Sequence, residues 1–422
     1  MSTRQLSEVI TDASMRSINF FNGRLLTAED LGQEQAIRRA ADARIGQAVG
    51  YGVANGLEVS QPVSAATQPV LTVQPGLAIN LKGQAMSLSD AVDVSLVRPA
   101  SAGVPATLGT FSDCQPPQPG IYVADAGVYL LVMCPASATE GRAPVNGLGT
   151  CTVACNARYN IEGVQFRLVQ LPTGADLTQP ALLRNTVAYE CFGTIVDTAA
   201  FVSDPFNASW DRTGLLDLMR RKKIGIGDCD IPLAVIYWTL EGIQYIDMWS
   251  VRRRLAKPGA SHSWPLLFSD RRTSETDAMI QQFQDQIETI FTVESGLENI
   301  QATDRFTFLP PVGLLPMRGP GSARGFDAGT FFGSRASRAI ATMDGESLRS
   351  LFAEARDHEP IDLRSAEKIQ LYVTFENLIA VQNGQSSQLA VIFASRYLTR
   401  RETARYSFAS FELGHFASNF VR

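Results

Sequence analysis

The spacing of hydrophobic and polar positions changes several times along the chain, and each change predicts a different element. A first helix is expected from Thr27 to about Val49. Thr27 can cap the amide three residues on, and the acidic Glu29 and Asp30 suit the positive end of the helix dipole. Gly50 follows the last apolar position, which is where a helix commonly ends.

From Tyr51 to about residue 250, short runs alternate between apolar and polar residues, with Gly and Pro between the runs. Such runs predict β-strands. The clearest of them are 120–134, 165–171 and 233–238. A short helix is expected at 214–223, and the Pro-, Gly-, Ala- and Thr-rich residues 135–160 predict a long loop. Together these runs predict a β-sandwich or barrel.

A second helix is expected from about Asp270 to Ile300, and its apolar spacing is that of a coiled-coil seam. The seam positions are Ile280, Phe283, Ile287, Ile290 and Leu297. Isoleucine at both kinds of seam position favours more than two strands, so the pattern predicts a stalk that joins three copies of the chain. The alternative is a helix packed antiparallel on its own domain, because the seam is only a few turns long.

These elements predict an α+β fold that is mainly β, in three parts. The parts are a β-sandwich- or barrel-like region with the first helix (1–255), a linker and helical coiled-coil connector (256–302), and a smaller α+β head (303–422). The head begins with an extended, proline-rich segment at 306–316 and continues with a helix at 345–356. Its strands are expected at 368–378, 388–394 and 406–413.

Composition narrows the possible functions. The net charge is −5, whereas a protein that binds duplex nucleic acid normally has a basic surplus, so nucleic acid is not an expected partner. The first residues lack the basic and apolar regions of a secretory signal, and no apolar run reaches the roughly 18 residues of a membrane span. We therefore expect a cytoplasmic protein.

Motifs that would indicate catalysis are missing from the sequence. It contains no nucleophile elbow, phosphate-binding loop, zinc-protease motif or dinucleotide fingerprint. Its three histidines, His262, His358 and His415, are not spaced as a relay. We expect no enzyme activity and no cofactor. A glycan-cleaving enzyme is the alternative, because a pair of carboxylates could meet in space.

The six cysteines predict no metal site. Cys151 and Cys155 are four residues apart, but Cys114 and Cys134 do not form the second close pair that a structural zinc site uses. Reduced thiols in the core or in loops are expected, with a disulfide as the alternative.

Residues 18–31, Ile-Asn-Phe-Phe-Asn-Gly-Arg-Leu-Leu-Thr-Ala-Glu-Asp-Leu, resemble the start of a protein family encoded with contractile injection systems, which are phage-tail-like particles. Residues 51–59 and 73–79 continue this resemblance, and residues 308–316 look like a second signature of the family. The order of the domains is also similar to that of TssK, the trimeric baseplate adaptor of type VI secretion.

The resemblance implies a structural adaptor that docks on a baseplate through its N-terminal region. Its head would face a fibre, a membrane anchor or an envelope component, and its partners would be other baseplate subunits and further copies of itself, as a trimer. Phe20, Phe21, Leu25 and Leu26 are the candidate docking residues, with burial in the core as the alternative. A fibre protein that binds a carbohydrate or receptor through a β-rich head is the competing function.

Overall fold

The computed structural model describes residues 18–62, 69–97, 114, 120–123, 125–144, 155–193, 214–255, 270–319, 324–356, 358–384 and 388–398. Its helices are α1 (Ala28–Val49), α2 (Pro180–Phe192), α3 (Leu215–Arg221), α4 (Asp270–Val293), α5 (Ala328–Phe332), α6 (Gly345–Ala355) and α7 (Phe375–Gln382). The expected linker at 256–265, the strand at 406–413, His262, His415 and Cys151 lie outside the described residues.

Sixteen strands accompany these helices in the described part. They are β1 (Gly52–Gly56), β2 (Val59–Ser60), β3 (Val70–Val73), β4 (Gly76–Ile79), β5 (Ala85–Leu88), β6 (Val92–Ser95), β7 (Gly127–Pro144), β8 (Cys155–Gln170), β9 (Ile231–Thr239), β10 (Gly242–Asp247), β11 (Phe308–Leu309), β12 (Val312–Pro316), β13 (Ala336–Met343), β14 (Ile361–Asp362), β15 (Ile369–Thr374) and β16 (Ala390–Ser395). Helix and strand contents are about equal, so the fold is mixed α+β and not mainly β.

The N-terminal strands form three small open antiparallel sheets, in the orders β1-β4-β5, β2-β3-β6 and β10-β9-β7-β8. None of them closes, so the predicted barrel is wrong. One apolar core lies among all three sheets and contains Val53, Leu71, Met86, Leu131 and Ile236. Short strands from all three sheets therefore share one core.

The other side of sheet β10-β9-β7-β8 is covered by α2 and α3. Leu183 of α2 and Met219 of α3 pack with Leu130 and Val235 of the sheet. Helix α3 is the predicted short helix. Helix α2 was not predicted, although Pro180 at its first position and a left-handed Gly193 after its last are typical helix boundaries.

The loop predicted for residues 135–160 is wrong over most of its length. Residues 135–144 and 155–160 extend β7 and β8 into one long antiparallel hairpin, paired from Tyr129 with Gln170 outward to Pro144 with Cys155. Pairing continues although this segment is rich in Pro, Gly, Ala and Thr, because the backbone groups of alternate residues bond to the partner strand and need no apolar side chain.

The C-terminal sheet has the order β12-β16-β15-β13, and β13 pairs with β15 in parallel. The predicted proline-rich extended segment becomes β11 and β12. The predicted helix at 345–356 is α6, and the predicted strand at 388–394 is β16. The strand predicted at 368–378 is β15 only as far as Thr374, after which α7 begins. Helix α4 lies against β12.

The oligomer seam predicted on the second helix is corrected by the structure. That helix, α4, ends at Val293 and not near Ile300, and Leu297 lies beyond it in a short 3-10 turn. All of the seam residues, Ile280, Phe283, Ile287, Ile290 and Leu297, are buried inside the single chain. Ile280 packs with Val312 and Ile392, and the other seam residues share a core with Phe306 and Phe393. This stripe is therefore covered by its own sheet and is not available to another copy, so the trimer prediction loses its physical basis.

The expected reduced state is also corrected for two cysteines. Cys114 and Cys229 form a disulfide between positions 115 residues apart in the sequence. Cys134 and Cys191 are free and buried. Burial raises the pKa of the Cys191 thiol to about 12, so this thiol remains protonated at neutral pH.

Candidate docking surface

The segment that precedes α1, together with the first turns of this helix, exposes an unusual number of large apolar side chains. Phe20, Phe21, Leu25, Leu26 and Leu31 are all exposed. Burial of the four predicted docking residues in the core, the alternative reading, is therefore wrong. Clustered exposed apolar groups are typical of a surface that another molecule covers. We call these five residues the docking surface.

The backbone beneath the docking surface is fixed by one arginine. Arg24 donates hydrogen bonds to the Asn19 carbonyl oxygen (2.8 Å) and to the Asp30 carboxylate (2.8 Å). The Arg24 amide also donates to the Phe21 carbonyl oxygen (3.2 Å), which closes a turn at Gly23, where φ is +89°. These hydrogen bonds fix the turn within the segment itself, and its large apolar side chains are exposed.

Helix α1 begins at a complete capping box. The Asp30 amide donates to the Thr27 hydroxyl (3.2 Å), and the Thr27 amide donates to the Asp30 carboxylate (3.0 Å). The backbone and side-chain hydrogen bonds from Thr27, and then the charge of Arg24, hold the pKa of Asp30 below its usual value. Because the pKa of Asp30 is lower in the folded state than in the unfolded chain, its carboxylate stabilises the folded state at pH values above the unfolded-state pKa. This contribution is lost as the pH falls through the folded-state pKa.

Helix α1 is anchored mainly by its second half. Its one buried residue is Gly46, which lies directly on the backbone of Gly83 in the turn between β4 and β5. Gln47 donates to the Lys82 carbonyl oxygen (3.2 Å), and Arg39 pairs with Glu162 of β8 (2.9 Å). Among the described residues, the hydrogen bonds and ion pairs of the side chains at 18–38 stay within this segment. None of them brings another part of the chain over the docking surface.

Replacing each of two glycines of α1 with alanine is expected to change the stability of the protein in opposite directions. A Cβ added at Gly46 would collide with the Gly83 carbonyl, which is backbone and cannot rotate away, whereas a Cβ at Gly32 would meet nothing within 4 Å. We expect Gly46→Ala to lower the free energy of unfolding by about 1–3 kcal/mol through overpacking. Gly32→Ala should raise it by up to about 1 kcal/mol, because alanine is the better helix former.

Urea unfolding of both variants measures these two effects. A Gly46→Ala protein as stable as Gly32→Ala would show that α1 does not rest on the β4–β5 turn. The sequence predicted α1 and the apolar residues before it, but it did not reveal Gly46 as the anchor. Among several glycines near a helix end, only the contact with Gly83 distinguishes this one.

A cavity of about 750 Å³ lies between α4, α6 and residues 249–254. Four arginines line it, Arg252, Arg254, Arg349 and Arg356, together with the acidic Asp277 and Glu346. Arg356 already pairs with Asp277 (3.2 Å), and Arg252 is bonded to the Gly56 carbonyl oxygen and lies 3.4 Å from Glu58. Because half of its arginines have acceptors within the chain, this cavity is a weaker candidate than the docking surface.

Within the described residues, no group of three or more His, Cys, Asp or Glu side chains is arranged to hold a metal ion. None of the helices described is both long and apolar enough to cross a membrane.

Neither a protein-family model nor a curated protein matches the chain. Among solved structures it is similar to a chain of the type VI secretion system TssK-TssF-TssG baseplate subcomplex, with 12% identity, 67% of this chain and 73% of that chain covered, and a TM-score of 0.26. A chain of the type VI secretion baseplate complex has 10% identity, coverages of 69% and 73%, and a TM-score of 0.25. The crystal structure of TssK has 13% identity, coverages of 39% and 36%, and a TM-score of 0.22. These structural neighbours are baseplate proteins, but TM-scores this low do not assign a function.

Proposed function

We propose that this chain is a non-enzymatic structural subunit of a contractile injection system, and that the docking surface attaches it to another baseplate subunit. The head at 303–422 then bridges to a fibre, a membrane anchor or an envelope component. In this proposal the protein assembles in the cytoplasm and needs no cofactor. The resemblance of residues 18–31 to the opening of a contractile injection family supports the proposal, because those same residues form the docking surface.

One observation carries the proposal. Large apolar side chains are held outward on a segment whose backbone is fixed by Arg24 and by the capping box. Water disfavours such an arrangement in a free protein, since each large apolar side chain that becomes buried contributes roughly 1.5–3 kcal/mol. A fixed apolar surface loses little conformational entropy on binding, so it suits permanent assembly.

Leu25 and Leu240 allow a matched test of this surface. Leu25 is 87% exposed on the docking surface, and Leu240 is 88% exposed in the turn between β9 and β10. We expect Leu25→Ser to weaken association with the baseplate proteins encoded beside this chain by about tenfold or more, because a buried leucine is lost from the interface. Leu240→Ser should leave association unchanged.

Each variant is co-expressed with those baseplate proteins, and the dissociation constant of the purified pair is measured by biolayer interferometry. Thermal unfolding confirms that both variants fold like the unsubstituted chain. Equal weakening by both substitutions, or none by Leu25→Ser, would remove the docking surface from the interface. The absence of sheath, tube and baseplate genes beside this one would count heavily against the whole proposal.

A further inference from the structure

The hairpin of β7 and β8 leaves the body of the protein as an arm. Residues 138–141 on β7 and 157–163 on β8 are exposed, so both faces of the ribbon are open to solvent there. Neighbouring strand β9 pairs with β7 only from Gly127 to Met133, so it does not accompany the arm. A two-stranded ribbon without a further partner is marginally stable in water.

The two edges of the arm differ in their ability to accept another strand. The β7 edge carries Pro135, which lacks an amide donor, and Gly141 with a φ of +68°. Strand β8 contains no proline from Cys155 to Gln170. It is also the outermost strand of its sheet. Among the residues that the structure describes, the open edge of the arm is therefore that of β8.

The hydrogen-bonding groups on the open edge belong to the even-numbered residues of β8. The Leu168 carbonyl oxygen accepts from the Ile121 amide on this outer side (2.9 Å), whereas the Gln165 carbonyl oxygen accepts from the Cys134 thiol of β7 (3.7 Å). Peptide groups of alternate residues point to opposite edges of a strand, and the pairing of β7 with β8 has no register shift. Residues 158, 160 and 162 therefore present their backbone groups outward.

Residues 157–163, Ala-Arg-Tyr-Asn-Ile-Glu-Gly, are chemically self-complementary about Asn160. When the strand runs antiparallel to a second copy of itself about this residue, Arg158 lies opposite Glu162 twice. Tyr159 then lies opposite Ile161, which is an aromatic pair with a β-branched residue, and Ala157 lies opposite Gly163. Opposite charges and aromatic–β-branched pairs both stabilise neighbouring strands.

We propose that two copies of this chain pair through the β8 edge, antiparallel and centred on Asn160. The partner is a second copy of the chain because the charges of the segment are complementary to those of the same segment run in the opposite direction. A two-fold axis through Asn160 also gives both copies the same contacts. The pairing spans only residues 156–164 of each copy, less than the roughly 800 Å² per partner of a standard interface. We expect a dissociation constant on the order of micromolar.

Charge reversal tests the register. Arg158→Glu places like charges opposite each other at two symmetric positions, and we expect it to weaken the dimer by roughly tenfold or more. Glu162→Arg should do the same, and the double variant Arg158→Glu/Glu162→Arg should restore dimerisation to within about threefold of the unsubstituted chain. Sedimentation equilibrium of the full chain measures each dissociation constant. Monomers at all concentrations, trimers, or a double variant no better than the single ones would overturn the proposal.

Two further variants separate the register from other effects. Glu162 also pairs with Arg39 of α1, so Arg39→Ala reproduces the loss of that contact and should leave the dimer intact. Asn160→Cys should allow mild oxidation to join position 160 of the two copies, because directly opposed Cα atoms about 5.5 Å apart suit a disulfide. Ala138→Cys, which is also at an exposed position but on the other strand of the arm, should not cross-link. A dimer that cross-links through Ala138→Cys and not through Asn160→Cys would refute the β8 contact.

Discussion

Replacing Ile287 with aspartate is expected to unfold the protein. Ile287 is 2% exposed on α4 and shares a core with Phe306, Leu315 and Phe393. The substitution removes a large apolar side chain from this core and puts an ionisable carboxyl in its place without a partner. The combined cost is roughly 4–5 kcal/mol or more, which approaches the whole stability of many domains.

Val293 on the same helix provides the control for this substitution. It is 77% exposed at the end of α4, so Val293→Asp introduces the same carboxyl into water. Urea unfolding followed by circular dichroism should show a lower midpoint, or no folded protein, for Ile287→Asp and a nearly unchanged midpoint for Val293→Asp. A soluble Ile287→Asp protein with native circular dichroism and a smaller mass in solution would instead revive the oligomer seam.

The pattern on α4 shows what the sequence could and could not predict. Apolar residues three and four positions apart predicted a helix with one buried stripe, and α4 has both. That spacing is shared by a coiled-coil helix and by a helix that lies on its own sheet. The partner that covers the stripe is β12, β15 and β16, and no local pattern encodes a contact with strands up to about a hundred residues away.

The limits of α1 were predictable from the sequence, because the residues that set them act locally. Thr27, Asp30 and Gly50 act through neighbouring backbone groups, so their spacing alone predicted the limits of α1. Exposure of Phe20 and Leu25 could not be predicted, because an aromatic or leucine residue is equally common in a core. The pairing of Cys114 with Cys229 was likewise hidden, since the two residues meet only after the sheets have formed.

Helix α4 also contacts the N-terminal half of the chain. Arg184 makes most of the polar contacts between the two. Arg184 of α2 donates to the carboxylate of Asp247 at the end of β10 (3.2 Å), and it pairs with Asp285 of α4. Gln282 of α4 donates to the same Asp247 carboxylate (3.2 Å). Burial alone would lower the pKa of Arg184, but the charges of Asp247 and Asp285 raise it, so the guanidinium stays charged.

Arg184→Met is expected to lower the free energy of unfolding by about 3–5 kcal/mol, because it leaves the buried Asp247 carboxylate without its cation. The exposed pair of Arg364 with Asp362 (2.8 Å) provides the matched control. There, Arg364→Met should cost no more than about 1 kcal/mol, since water solvates the remaining carboxylate. Equilibrium urea unfolding of both variants compares the two costs directly.

A second substitution distinguishes two causes of destabilisation in Arg184→Met, which are the loss of the charge pair and the loss of packing. Methionine retains much of the apolar length of arginine, so the main defect of Arg184→Met is the uncompensated charge on Asp247. Adding Asp247→Asn removes this charge while the amide can still accept from Gln282, and it should recover part of the lost stability. If Asp247→Asn lowers stability further in the Arg184→Met background, the junction depends on the shape of these side chains and not on their charges. In that case the two halves of the chain are joined by their other contacts, among them the hydrogen bonds of Asn185 with the Thr307 and Phe308 backbone and the stacking of Tyr189 on Phe308, whose ring centroids lie 5.0 Å apart.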